Sequence, residues 1–94
     1  MRAPAQNPQA LFTELDDGTG VLLHLETKFY FTLNPTAVIV WKELAQGGER
    51  APVLARIAAR LSAEFQVDAE TAARDVEGVL ADLLEDGLLL EARG

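Results

Sequence analysis

The stretch Phe29-Tyr30-Phe31-Thr32-Leu33-Asn34-Pro35-Thr36-Ala37-Val38-Ile39-Val40-Trp41 changes its period halfway along. Up to Leu33 the alternation is two. Phe29, Phe31 and Leu33 fall on one face, and Lys28, Tyr30 and Thr32 on the other, as in a strand with one covered side. Asn34 is a good helix cap, and Pro35 suits the first helical position, where its missing N–H has no partner to lose. Ala37, Val38, Val40, Trp41 and Leu44 then follow helical spacing, with Ile39 beside them, until Gly47-Gly48 stops the helix. The chain therefore passes from sheet to helix at Asn34.

Working outward, Leu11 to Leu15 and Val21 to Leu25 read as two further strands. The turn Asp16-Asp17-Gly18-Thr19-Gly20 joins them, and Glu26-Thr27 makes a tight link to the third. Short links make neighbouring strands antiparallel. Beyond the glycine pair, a second helix starts at Pro52, with Leu54, Ile57, Ala58 and Leu61 inward and Arg56 and Arg60 outward. Asp68 caps a third helix, and Glu70 suits its first turn. Ala69, Ala72, Ala73, Val76, Leu80 and Leu83 form its inward stripe, and Gly87 ends it before the short apolar tail Leu88-Leu89-Leu90. The expected fold is α+β, a winged helix-turn-helix with a three-stranded antiparallel sheet followed by three helices. Residues 1–9 are expected to be a flexible arm and 10–94 a single domain. Trp41, the largest side chain available, is expected to fill the junction between sheet and helices.

Composition removes several function classes. The 94 residues include no cysteine, so disulfides, thiolate metal sites, Fe–S clusters and cysteine nucleophiles are absent. His24 is the lone histidine and Ser62 the lone serine, too few parts for the usual nucleophile-plus-base arrangements. The adjacent pairs Asp16-Asp17 and Glu85-Asp86 diverge from each other and make no acid–base pair. We expect no enzyme, no metal and no cofactor. The net charge is −7, and between Glu64 and Glu91 nine acids face one base, Arg74. Such a chain repels phosphate backbones and anionic lipid, so nucleic acid and membranes are not expected partners. No apolar signal core precedes the domain, and the cytoplasm is the expected location.

The run Leu22-Leu23-His24-Leu25-Glu26-Thr27, then Phe29-Tyr30-Phe31-Thr32-Leu33-Asn34, then Ala37, Ile39, Trp41 and Leu44, resembles the PqqD family, which comprises small leader-binding proteins called RiPP recognition elements. The second half matches as well, at Val53-Leu54-Ala55-Arg56-Ile57-Ala58, at Ala73-Arg74-Asp75-Val76 and from Leu80 to Leu89. Together these cover roughly residues 10–91. The resemblance implies a non-catalytic protein that binds the leader of a ribosomally made precursor peptide. It presents that peptide to a modifying enzyme, such as a radical SAM enzyme or a leader protease. The leader adds as a strand beside the third strand, in the cleft against the third helix. Tyr30-Phe31 with Trp41 looks closer to the stand-alone proteins of lasso-type clusters than to the quinone pathway.

On that reading Lys28, Phe29, Tyr30, Phe31 and Thr32 meet the peptide. Helical projection puts Val79, Asp75 and Asp82 at the cleft with Leu83 as its floor. The structural alternatives are plain: Phe29 and Phe31 as core, Tyr30 and Thr32 as solvated strand positions, Lys28 as a hairpin residue, Asp75, Asp82 and Asp86 as the wet face of a helix. The departures from the family are Lys28, where glycine is usual, and Glu49-Arg50-Ala51-Pro52, which lacks the usual threonine or serine before the second helix. A self-association module, including a weak homodimer through the open strand edge, and a DNA-binding winged helix are the competing functions.

Overall fold

The computed structural model describes residues 1–91. Its elements are β1 (Ala5–Gln6), β2 (Ala10–Glu14), β3 (Gly20–His24), β4 (Tyr30–Leu33), α1 (Pro35–Leu44), α2 (Arg50–Phe65), α3 (Ala69–Glu85) and β5 (Leu89–Leu90). The sheet β2-β3-β4 is an antiparallel meander, with Leu11 opposite Leu23 and Leu23 opposite Tyr30. Helix α1 packs against β4, and α2 and α3 pack on α1 and on each other, giving the expected α+β architecture. Leu22, Leu33, Val38, Trp41, Ile57, Leu61, Val76 and Leu80 are among the side chains that close the core.

The caps form as the sequence predicts. The Asn34 side chain accepts from the Ala37 N–H, and Asp68 accepts from the Thr71 N–H at 2.7 Å. On α3, Ala72, Val76, Leu80 and Leu83 are buried, whereas Ala69 and Ala73 stay exposed. Helix α2 begins at Arg50 rather than Pro52, and Glu49 precedes it with no side-chain cap. Pro52 then sits in the first turn, where an absent N–H breaks no helical bond.

Gln66 closes α2 in the left-handed region, at φ 54 and ψ 40. A side chain there costs roughly 1–2 kcal/mol relative to glycine. Gln66→Gly is therefore expected to stabilise the fold by about 1 kcal/mol, or about 4–8 °C in Tm. Thermal unfolding followed by circular dichroism checks this, and an unchanged or lower Tm contradicts it.

Two expectations are corrected. The first nine residues are not a loose arm. Ala3 and Pro4 are buried, and the Ala3 N–H donates to the Gly48 carbonyl. β1 pairs with β5, Ala5 opposite Leu90. Gln6 Nε2 donates to the Trp41 carbonyl at 2.8 Å, and Asn7 Nδ2 to the Gly87 carbonyl at 2.8 Å. The polar side chains that look solvated in the sequence satisfy backbone groups of α1 and of the turn after α3. The apolar tail Leu88-Leu89-Leu90 is correspondingly a strand partner.

Arg56 and Arg60 are the second correction. They do not simply point outward but reach across to α1. The Glu43 carboxylate accepts from Arg60 Nη1 at 2.7 Å and from Arg56 Nε at 3.1 Å. The Arg60 hydrogen bond holds Glu43 below the usual carboxylate range; burial opposes this, and Arg56 adds to it. A carboxyl whose pKa is lower folded than unfolded stabilises the fold above its ordinary value of 4.5. That stability is lost as pH falls through the lower folded value. Both arginines are more than a third exposed, so solvent screening keeps the expected effect of Glu43→Gln to about 1–2 kcal/mol at pH 7. Unfolding across pH 7 to 3 is expected to show a shallower acid limb in the variant. An identical limb contradicts the assignment.

Candidate functional site

β4 is an edge strand: β3 lies on one side, and no strand among the described residues lies on the other. The register fixes what that free side offers. The His24 N–H donates to the Phe29 carbonyl at 2.9 Å. Antiparallel pairs alternate between those that exchange hydrogen bonds and those that do not. In phase with that bond, Leu22–Phe31 and Gly20–Leu33 are bonded pairs, and Leu23–Tyr30 and Val21–Thr32 are not. The N–H and C=O groups of Tyr30 and Thr32 therefore point away from β3, into the space beside the sheet.

That space is a groove of about 560 Å³ between β4 and the C-terminal half of α3. Leu33, Ala37, Leu83 and Leu88 are all buried and make its apolar floor. Half-buried Phe31 and Val79 flank it, and exposed Asp82, Glu85 and Asp86 line its rim, with no lysine or arginine among the lining residues. The last turn of α3 carries no base. Carboxylates at a helix C-terminus oppose the helix dipole by roughly 0.3–1 kcal/mol each, so their placement does not serve helix stability. The groove offers backbone donors and acceptors along one wall, apolar contact below and negative charge above. An extended peptide satisfies all three.

The expected site residues divide. Tyr30, Phe31, Thr32, Val79, Asp82 and Leu83 come together around this groove. Asp75 does not line it. It borders an adjoining hollow of about 320 Å³ shared with Val79 and Asp82, one helical turn further back. Lys28 and Phe29 lie outside the groove as well, in the turn before β4. Lys28 takes φ 67, a left-handed conformation where glycine is at ease. Phe29, expected on the covered face, is 66% exposed. Along β4 burial falls from Leu33 through Phe31 to Phe29, because α1 starts beside Leu33 and the helical layer does not reach the hairpin.

Residues 19–89 match the family described as Coenzyme PQQ synthesis protein D (PqqD). The chain belongs to the PqqD family. Two solved structures resemble it over nearly its whole length. TbiB1 in complex with the TbiA(beta) leader peptide is 29% identical with a TM-score of 0.79, covering 96% of this chain and 99% of that one. Lasso peptide synthetase B1 complexed with the leader peptide is 28% identical with a TM-score of 0.77, covering 96% and 98%. No curated protein matches the chain.

In this PqqD-family chain, several groove residues carry little signal in the sequence as site residues. Asn34 and Ala37 look there like a cap and a core position; Leu88 looks like tail. Glu85 carries no periodic signal beyond a wet helix end, whereas helical projection sets Asp86 on the same margin as Asp75 and Asp82. The arginines of α2 also bear on the DNA-binding alternative. Arg50 engages Glu77, Arg56 engages Glu43, and Arg60 engages Glu43 and Glu64. Carboxylates already hold the charges that phosphate contacts would need.

Proposed function

We propose that this chain binds the leader segment of a ribosomally synthesised precursor peptide, does not itself catalyse, and presents the peptide to a modifying enzyme, either a radical SAM enzyme or a leader protease. The observation that carries the reading is the open edge of β4, with the backbone groups of Tyr30 and Thr32 facing an apolar groove. The two similar structures, each a leader-peptide complex, support it. The leader adds antiparallel or parallel to β4, with alternate side chains pointing down toward Val79, Leu83 and Leu88. Its affinity comes from main-chain hydrogen bonds, and its specificity from the side chains that reach the floor and the rim. Asp82, Glu85 and Asp86 favour a guest with a lysine or arginine near the end of α3.

Calorimetric titration with the leader of the precursor encoded beside this chain's gene tests the reading. One-to-one binding is expected, weakened by about tenfold in Asp82→Lys, which replaces attraction with repulsion at a partly desolvated rim. No heat of binding with the wild-type chain overturns the function. Wild-type affinity in Asp82→Lys overturns the placement of the peptide.

A further inference from the structure

Gly78 stands in the middle of α3, where glycine is the costliest residue after proline. Nothing in the fold asks for it. The other described glycines take positive φ or, at Gly20, would drive a Cβ into the Phe12 ring. Gly78 keeps helical backbone, and a Cβ built there meets no atom within 4 Å. It is exposed and lines the hollow of about 320 Å³ beside Asn34, Thr36, Val79 and Asp82. Asn34, Val79 and Asp82 also line the groove along β4, so the two spaces adjoin at the C-terminal end of that strand.

The β4 edge is short. Past Thr32 the Asn34 carbonyl accepts from the Val38 N–H at 3.0 Å, Pro35 has no N–H to give, and the chain turns into α1. A guest strand finds its main-chain partners at Tyr30 and Thr32, and a short strand pairing by itself is marginal in water. The guest needs further contact, and the open space that continues the groove leads to Gly78.

We propose that the leader runs off the β4 edge at Asn34 and lays its main chain against the bare backbone of α3 at Gly78. The inference rests on the leader-binding reading above and adds a second contact to it. With no side chain at Gly78, the guest backbone reaches the helix backbone, the close approach that glycine permits, and Cα–H···O contacts form at that range. Gly78 thus acts as a specificity-determining residue: it gives up helix stability to admit a peptide longer than the strand it adds. The partner chemistry is an extended main chain, carried by the same peptide that pairs with β4.

Stability and affinity are expected to move in opposite directions at this position. Gly78→Ala should raise the Tm by about 4–8 °C and weaken binding of the leader encoded beside the gene by about fivefold. Gly78→Leu, which also suits a helix, should weaken it by about 10- to 100-fold. Ala73→Gly is the control, exposed on the same helix and outside both spaces. It should lower the Tm by about as much while leader affinity stays within about twofold. Thermal unfolding and titration calorimetry give the two readouts. Leader affinity within twofold of wild type in folded Gly78→Leu overturns the proposal. So does a lower Tm in Gly78→Ala, which would assign the glycine to the fold, or an affinity loss in Ala73→Gly equal to that in Gly78→Ala. Failure of the wild-type chain to bind the leader instead removes the reading beneath it.

Discussion

Thr32→Pro is expected to weaken leader binding by about 30- to 1,000-fold while the domain stays folded. The Thr32 N–H points to the free side of β4, so proline removes no bond to β3. It deletes the donor a guest strand needs and puts ring atoms where the guest backbone lies. Losing one or two main-chain hydrogen bonds, together with the clash, amounts to about 2–4 kcal/mol. Phe31→Pro is the contrasting variant. Its N–H faces Leu22 inside the ladder, so it is expected to lower stability by about 3 kcal/mol before binding is considered. Titration calorimetry alongside thermal unfolding separates the two. Leader affinity within threefold of wild type in a folded Thr32→Pro chain, roughly 0.6 kcal/mol, means that the peptide does not use this edge.

Trp41→Ala is expected to cost about 3–5 kcal/mol of stability. The indole is only 3% exposed, and its ring lies 6.3 Å from that of Phe12, tilted by 39°. It joins α1 to the inward face of β2, and the carbonyl of the same residue holds Gln6 of the N-terminal segment. Truncation opens a cavity where sheet, first helix and N-terminus meet. In a domain whose whole stability is of order 5–15 kcal/mol, the Tm should fall by about 15–30 °C. Trp41→Phe keeps much of the ring volume and should cost less than half as much. A fall of only about 5 °C in Trp41→Ala would show that the indole is not the packing centre described here.

The features legible in the sequence are those that local periodicity and capping chemistry encode. The switch at Asn34, the meander before it, and the buried stripe Ala72, Val76, Leu80 and Leu83 each follow from residues a few positions apart. Tyr30, Thr32, Val79, Asp82 and Leu83 were reachable because a strand shows its phase in its alternation, and a helix shows its margins at about 100° per residue.

Local pattern thus encodes the three meander strands and the three helices. What meets across the chain depends on how those layers stack. The N-terminal segment is ordered because Ala5 and Gln6 find Leu89 and Leu90 near the opposite end, and two residues carry no period to betray a strand. Glu43 looks like a surface acid until Arg56 and Arg60 close over it from the next helix. Lys28 and Phe29 leave the groove because a left-handed residue turns the chain there. Asn34, Ala37 and Leu88 enter it because the end of α3 and the chain after Gly87 return beside β4. Contacts between distant segments depend on how whole layers stack, and no local pattern of side chains records that.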